Sequence, residues 1–294
     1  LKVLTSTAKS TRKIDTQKAV EWVQKQLAIT LAGGQIQAIS SAIEDKVMVI
    51  TGGPGTGKTT IINAILKIFE KLPVHLMLAA PTGRAAKRMS EATGHPAKTI
   101  HRMLEYSVRK GGFQRNENYR LKCDVLIVDE ASMIDSVLMH HLLKAVPPRA
   151  TFVLVGDINQ LPSVGPGNVL KDIIASGSVP TVELTEIFRQ AQESSIVVNA
   201  HRINRGLLPK LQPVEHQLED FYLLEQADPE EVLRIVLELI QERIPKRFGF
   251  DPLNDIQVLT PMHRGTVGAA NLNIEIQNAL NLGSDEITRG GRTF

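Results

Sequence analysis

The sequence predicts an open α/β fold, a parallel sheet flanked by helices and built around a phosphate-binding loop. Three observations predict it. Gly52-Gly53-Pro54-Gly55-Thr56-Gly57-Lys58-Thr59-Thr60 spells G-x-x-x-x-G-K-[ST] between an apolar run, Val47 to Thr51, and an apolar-periodic segment, Ile61 to Phe69. A second apolar run, Val125 to Val128, ends on Asp129-Glu130, and a third, Phe152 to Val155, ends on Gly156-Asp157. Continuous apolar runs that end in acids read as strands buried on both faces, the signature of parallel sheets that bind ligands at their carboxyl edge.

The spelling of the loop has a physical reason. Glycines let successive backbone N–H groups curl around a triphosphate, and the following helix N-terminus adds its partial positive charge. Lys58 can reach the β- and γ-phosphates, and the Thr59 hydroxyl can sit on Mg²⁺. Gly53, Pro54, Gly55, Thr56, Gly57 and Thr60 complete the candidate nucleotide-binding set. A chance glycine-rich turn is the alternative, and the strand before the loop and the helix after it argue against that. Asp129, at a strand's carboxyl end, can hold Mg²⁺ directly or through water, and Glu130 can orient and deprotonate an attacking water.

The other elements follow in chain order. Asp15 suits the cap of a helix that buries Val20, Val23 and Leu27. Gln35, just upstream of the loop, offers a donor and an acceptor to an adenine edge, or is a solvated helix residue. Val74 to Ala80 reads as a strand running into Pro81-Thr82-Gly83-Arg84, where amides, a hydroxyl and a guanidinium together suit a nucleic-acid phosphate. Lys87 and Arg88 on the next helix read as surface charges. The polar stretch 105–122 holds Gly111-Gly112, which turns either a small hairpin or a surface loop. Gln160 follows the strand ending in Asp157 and can sense a γ-phosphate or cap a turn. Val179 to Leu184 makes one more strand, leading to Arg189. Further on, 221–224 and 256–260 read as strands, and 196–205, 229–240 and 267–280 as helices. His140-His141 lies in an apolar helical segment without a third ligand, which favours packing or exposure over a metal site.

Composition sets outer limits. The 294 residues suggest roughly two domains, and the 43% hydrophobic content supplies buried cores. A net charge of +3 is compatible with a polyanionic partner and does not establish one. The basic N-terminal cluster, Lys2 to Lys25, reads as a solvated tail. Cys123 is the only cysteine, which excludes an internal disulfide and a cysteine zinc site. No apolar run is long enough to span a bilayer, so no membrane partner and a cytoplasmic location are expected. The chain starts on Leu1 and stops on Phe294 without a structural stop signal, and is expected to be a piece of something longer.

Taken in order, these blocks resemble superfamily 1 helicases, most closely the RecD-like group of exodeoxyribonuclease V alpha-chain-like DNA helicases. The residues that carry the resemblance are Gly52 to Thr60, Ala80 to Ala86, Thr99 to Arg102, Val128 to Met133, Gly156 to Gly167, Leu184 to Gln190 and Leu259 to Gly265. The resemblance implies a P-loop NTPase of RecA-like fold with part of a second RecA-like domain. Residues 1–28 would be an N-terminal helix and linker, 29–190 the first motor domain with a small hairpin inserted at 105–122, and 191–294 the incomplete start of the second. It implies ATP and Mg²⁺ as cofactors, and 5′ to 3′ movement on single-stranded DNA driven by hydrolysis. Duplex junctions, nuclease or helicase partner subunits, and work in DNA repair and recombination come with it.

The resemblance also implies roles at matching positions. Gln35 would read adenine, Lys58 and Thr59 would bind phosphate and Mg²⁺, Asp129 would be the metal carboxylate and Glu130 the catalytic base. Gln160 would couple nucleotide state to DNA grip, and Arg189 would be an arginine finger. Thr82, Arg84 and His101 would touch the backbone of the single strand. The group's last motifs, including a V-x-x-S-Q-G-like block and a second catalytic arginine, are absent, so weak turnover is expected of this length of chain. Aromatic residues are 4% of the chain, which leaves backbone contacts rather than base stacking to dominate DNA binding. An ATP-gated DNA-binding subunit and a P-loop NTPase with no nucleic-acid partner are the alternatives.

Overall fold

The computed structural model describes residues 14–187, 193–211, 220–281, 288–289 and 292–293. Contacts divide the chain into two compact units, Leu1–Phe221 and Tyr222–Phe294. The first is built on a six-stranded sheet whose pairings are all parallel. Its strands are β1 (Val47–Gly52), β2 (Leu76–Ala80), β3 (Ala97–Thr99), β6 (Val125–Val128), β7 (Thr151–Gly156) and β8 (Thr181–Leu184), in the order β3-β2-β6-β7-β1-β8. A separate antiparallel hairpin pairs β4 (Tyr106–Ser107) with β5 (Gly112–Phe113), so the 105–122 stretch does hold a hairpin; a 3-10 turn, Val108–Lys110, closed by Gly111 makes its bend, and Gly112 already belongs to β5.

Side-chain alternation explains why this sheet is buried on both faces. Val47, Val49, Leu126, Val128, Phe152 and Leu154 point into one core. There they meet Ile100 and Met103 of α5 (Ile100–Met103), Leu138 and Leu142 of α6 (Ser136–Ala145), and Leu170 and Ile173 of α7 (Val169–Ala175). Their neighbours Met48, Ile50, Val125, Ile127, Val153 and Val155 point the other way. Those pack on α1 (Thr16–Leu27), α2 (Gly33–Glu44) and α3 (Lys58–Phe69), together with Met89 of α4 (Gly83–Thr93). Helix starts are fixed by side-chain oxygens: Asp15 accepts from the Lys18 amide, Thr82 from Ala85 and Asp135 from Leu138.

After β8 the first unit adds α8 (Ser195–Asn204). Ser194 caps it by accepting from the Val197 amide and hydrogen-bonds Asp220. Buried Asn199 ties the helix to the chain beyond it through both its amide atoms and the backbone of Lys210. In the second unit lie α9 (Pro229–Glu238), a π-helical turn (Leu239–Arg243), α10 (Ile244–Phe248) and α11 (Ala269–Leu280). Residues 221–224 and 256–260, expected as strands, are irregular. Several of their apolar residues face water: Leu259 is 83% exposed and Tyr222 58%. A strand pattern needs a partner to satisfy its backbone, and none pairs with these segments among the described residues.

Candidate nucleotide site

The carboxyl ends of the parallel strands define one edge of the sheet. In register, Thr51 stands beside Gly156, Gly52 beside Leu184, and Val128 beside Leu154. Strand β7 therefore separates the strand that feeds the phosphate loop from the strand that ends in Asp129. The loop between β1 and α3 takes its shape from glycines in left-handed conformation, Gly55 (φ 74°) and Gly57 (φ 83°), the latter at the N-cap of α3. At Gly52 the demand is space: a Cβ there would lie 2.7 Å from Thr56 Oγ1 and 2.9 Å from the Leu184 carbonyl.

Side chains hold the loop's carbonyls one by one. Thr56, 1% exposed, donates its hydroxyl to the Gly53 carbonyl at 2.8 Å. Lys58 Nζ donates to the carbonyls of Gly52 (2.7 Å) and Gly53 (2.9 Å). Gln35 Nε2 donates to the Thr56 carbonyl at 3.3 Å, while its Oε1 accepts from the Ala32 amide at the start of α2. His201 Nε2 lies 3.0 Å from the Pro54 carbonyl. Gln35 is 2% exposed, so the reading of it as a solvated helix residue fails. It braces the loop from below, spending a donor and an acceptor on backbone.

The acids sit opposite. Asp129 Oδ1 accepts from the Glu130 amide at 2.8 Å, and Glu130 has a left-handed backbone (φ 52°), a strained conformation for a side-chain-bearing residue. Burial pushes the Asp129 carboxyl above its ordinary range, against the Glu130 amide and the Lys58 charge, which pull it down. Glu130 is raised too, by burial first and then by the Asp129 charge, with Asp157 adding to it and Lys58 and Arg88 opposing. Two desolvated carboxylates facing a single ammonium are a donor set with electrostatic demand left over, which suits a hard divalent cation. The buried hydroxyls of Thr51 and Ser132, beside the loop and beside the acid pair, have no hydrogen-bond partner among the described residues. The residues present fit a triphosphate with its cation.

Most of the expected site residues converge here. Gln35, the 53–60 loop, Asp129 and Glu130 share the edge, and the Lys58 charge acts on both acids. Gln160 lies on the same edge but is exposed, in the turn that Asp157 closes by accepting from the Asn159 amide. Arg189 falls outside the described residues. Thr82 is committed to capping α4, Arg84 is exposed, and His101 is exposed with its ring 5.8 Å from Tyr106 and 5.5 Å from Phe113. His141 also lies against Phe113, ring centroids 4.6 Å apart and tilted by 37°, so a run of rings borders the hairpin. Two residues escaped sequence reasoning. Arg88 is exposed, yet its charge reaches Glu130. His201 comes from a helix far along the chain. The signal for it is Gly53, a loop glycine outside the left-handed set.

Against known proteins, a family model described as an AAA domain matches residues 35–166. The chain is 36% identical over 264 residues to the ATP-dependent RecD2 DNA helicase of Deinococcus radiodurans, covering 90% of this chain and 34% of that protein. It is 33% identical over 283 residues to the RecBCD enzyme subunit RecD of Mycolicibacterium smegmatis, covering 84% of this chain and 50% of that subunit. The chain belongs with the RecD-like proteins of superfamily 1. This RecD-like chain spans between a third and a half of the length of those relatives. Both similarities run past residues 35–166, beyond the part that the AAA domain description covers. No helix among the described residues is long and apolar enough to cross a membrane.

Proposed function

We propose that this RecD-like chain is the nucleotide-binding part of a cytoplasmic DNA motor that couples ATP hydrolysis to 5′ to 3′ movement along single-stranded DNA. The observation that supports the reading most is the convergence of Lys58, Asp129 and Glu130 on one sheet edge, with burial raising both carboxyls. The loop amides and Lys58 bind and orient the phosphates, Gln35 steadies the loop on the adenine side, and Thr60 extends the helix-end contacts. Thr59 and Asp129 would hold Mg²⁺, which supplies charge neutralisation for phosphoryl transfer. Glu130, its proton affinity raised by burial, accepts a proton from the attacking water. Arg189 and Gln160 report the state of the terminal phosphate to the DNA-gripping parts, and Thr82, Arg84 and His101 contact the strand's backbone.

Residues 29–190 then form a first motor domain and 191–294 the start of a second, with 1–28 leading in. The motor acts at duplex junctions in repair or recombination, with or without nuclease and helicase subunits. The test is ATP hydrolysis by the longer protein, with and without single-stranded DNA, alongside unwinding of a tailed duplex. Hydrolysis stimulated by DNA and lost in Glu130→Gln supports the reading. Hydrolysis indifferent to DNA would point to an NTPase without a nucleic-acid partner. Binding of DNA gated by ATP without turnover would point to a subunit whose catalysis lies elsewhere.

A further inference from the structure

Gly53 poses a question that the loop's spelling does not answer. The second position of G-x-x-x-x-G-K-[ST] is free, and Gly53 is not among the glycines with positive φ. A Cβ on Gly53 would stand 2.6 Å from His201 Cε1, 3.3 Å from Nε2 and 3.4 Å from Nδ1. The imidazole thus lies against the bare Cα, and glycine is required there by a ring that comes from 147 residues downstream of its partner Pro54. The ring is not an incidental neighbour. Its helix, α8, is capped by Ser194 and pinned by Asn199, itself 1% exposed and bonded twice to the Lys210 backbone.

The bond between His201 and Pro54 has a defined polarity. A carbonyl only accepts, so Nε2 carries the proton and donates. The 54–55 peptide is trans, as is every peptide among the described residues, so its C=O and N–H point in opposite directions. Holding the Pro54 oxygen on the α8 side turns the Gly55 N–H to the far side. Gln35 does the same one peptide pair later: by holding the Thr56 carbonyl, it turns the Gly57 N–H.

We propose that His201 is a positioning residue of the nucleotide site. Its Nε2–H fixes the 54–55 peptide so that the Gly55 amide faces the anion, at the end of the loop where the Lys58 ammonium is held by Gly52 and Gly53. The contact makes the segment after β8 part of the phosphate cradle. It rests on the reading of the loop as a nucleotide site. Its consequence is selective: an amide aimed at the outer phosphates strengthens binding of ADP and ATP and leaves AMP unaffected.

The test is calorimetric binding of ADP, ATP and AMP to this chain and to His201→Ala, His201→Gln, Gly53→Ala and the Gly53→Ala/His201→Ala pair. His201→Ala is expected to weaken ADP and ATP about tenfold, the worth of one charge-assisted hydrogen bond, with AMP unchanged. His201→Gln, which can still donate to Pro54, recovers most of that loss. Gly53→Ala alone weakens ADP at least as much, because its methyl and the ring collide. In the pair, the second substitution adds nothing. His201→Ala binding ADP as tightly as the parent overturns the proposal, as does a loss shared equally by AMP, or additive losses in the pair. A parent that binds none of the nucleotides sinks the nucleotide reading itself, and His201 with it. Far-ultraviolet dichroism of each variant separates a loss of fold, in which the Gln variant would fail along with Ala, from a loss of positioning.

Discussion

Gln35→Ala separates two roles that a glutamine beside a phosphate loop can have. As a reader of the base alone, the side chain would be free to turn outward, and its loss would cost within about 0.5 kcal/mol of folding stability. The structure assigns it a bracing role instead. It is 2% exposed, takes the Ala32 amide on Oε1 and gives Nε2–H to the Thr56 carbonyl. Truncation strands both of those backbone groups, at about 1–3 kcal/mol each. One buried methylene goes as well, about 0.8 kcal/mol. Release of the glutamine's rotamers returns about 1.5–2 kcal/mol. The net expectation is a loss of about 1–5 kcal/mol. The assay is urea unfolding followed by Trp22 fluorescence, since Trp22 is the only tryptophan and packs on the core that α2 shares. Gln35→Glu is a graded control, because a carboxylate still accepts from Ala32 but cannot donate to Thr56. A Gln35→Ala chain within 1 kcal/mol of the parent would refute the bracing role.

Three further outcomes can be checked. Glu130→Gln should raise stability at neutral pH while removing hydrolysis: burial lifts this carboxyl above its unfolded value, so the folded chain loses stability as pH rises through the raised midpoint. The gain should vanish below the ordinary carboxylate range, where both chains are neutral at that position, and thermal melts at pH 4 and pH 8 would show it. Cys123, 4% exposed and with its thiol pushed up to about 12 by burial and then by the Asp124 charge, should resist a disulfide-exchange reagent at pH 8 in the folded chain. It should react at once in denaturant, and equal rates in the two states would contradict its burial. Thr82→Ala removes the acceptor for the Ala85 amide and should cost about 1 kcal/mol of stability, whatever it does to DNA affinity. An unchanged unfolding midpoint would mean that the cap is not formed.

Local chemistry was legible and long-range placement was not. The loop could be read because holding a polyphosphate demands particular residue types at fixed spacing, and the flanking strand and helix announced themselves by apolar period. Buried strands such as β6 and β7 stood out for the same reason. Their order in the sheet could not be read, since nothing local says that 151–156 lies between 47–52 and 125–128. His201 illustrates the difficulty: its partner is distant in sequence, and only an unexplained glycine at 53 hints at it. Arg88 looked like any helix surface charge because its relation to Glu130 is set by how α4 lies over the sheet edge. The strand pattern at 256–260 misled in the opposite direction, because alternation costs nothing until a neighbour is there to pair with.

One consequence of the strand order concerns tolerance to change. Adjacent strands in a sheet are about 4.8 Å apart, so the interposed β7 sets the lysine-bearing wall and the acid-bearing wall about 10 Å from each other. Phe152 to Gly156 act as a spacer between two jaws, and Gly156 is kept bare because a methyl there would press on Leu170 Cδ2 at 2.8 Å and on the Ser132 amide at 3.1 Å. Single-residue insertions or deletions within that spacer should therefore misalign both jaws at once, whereas similar changes among residues 114–120 should be absorbed at the periphery.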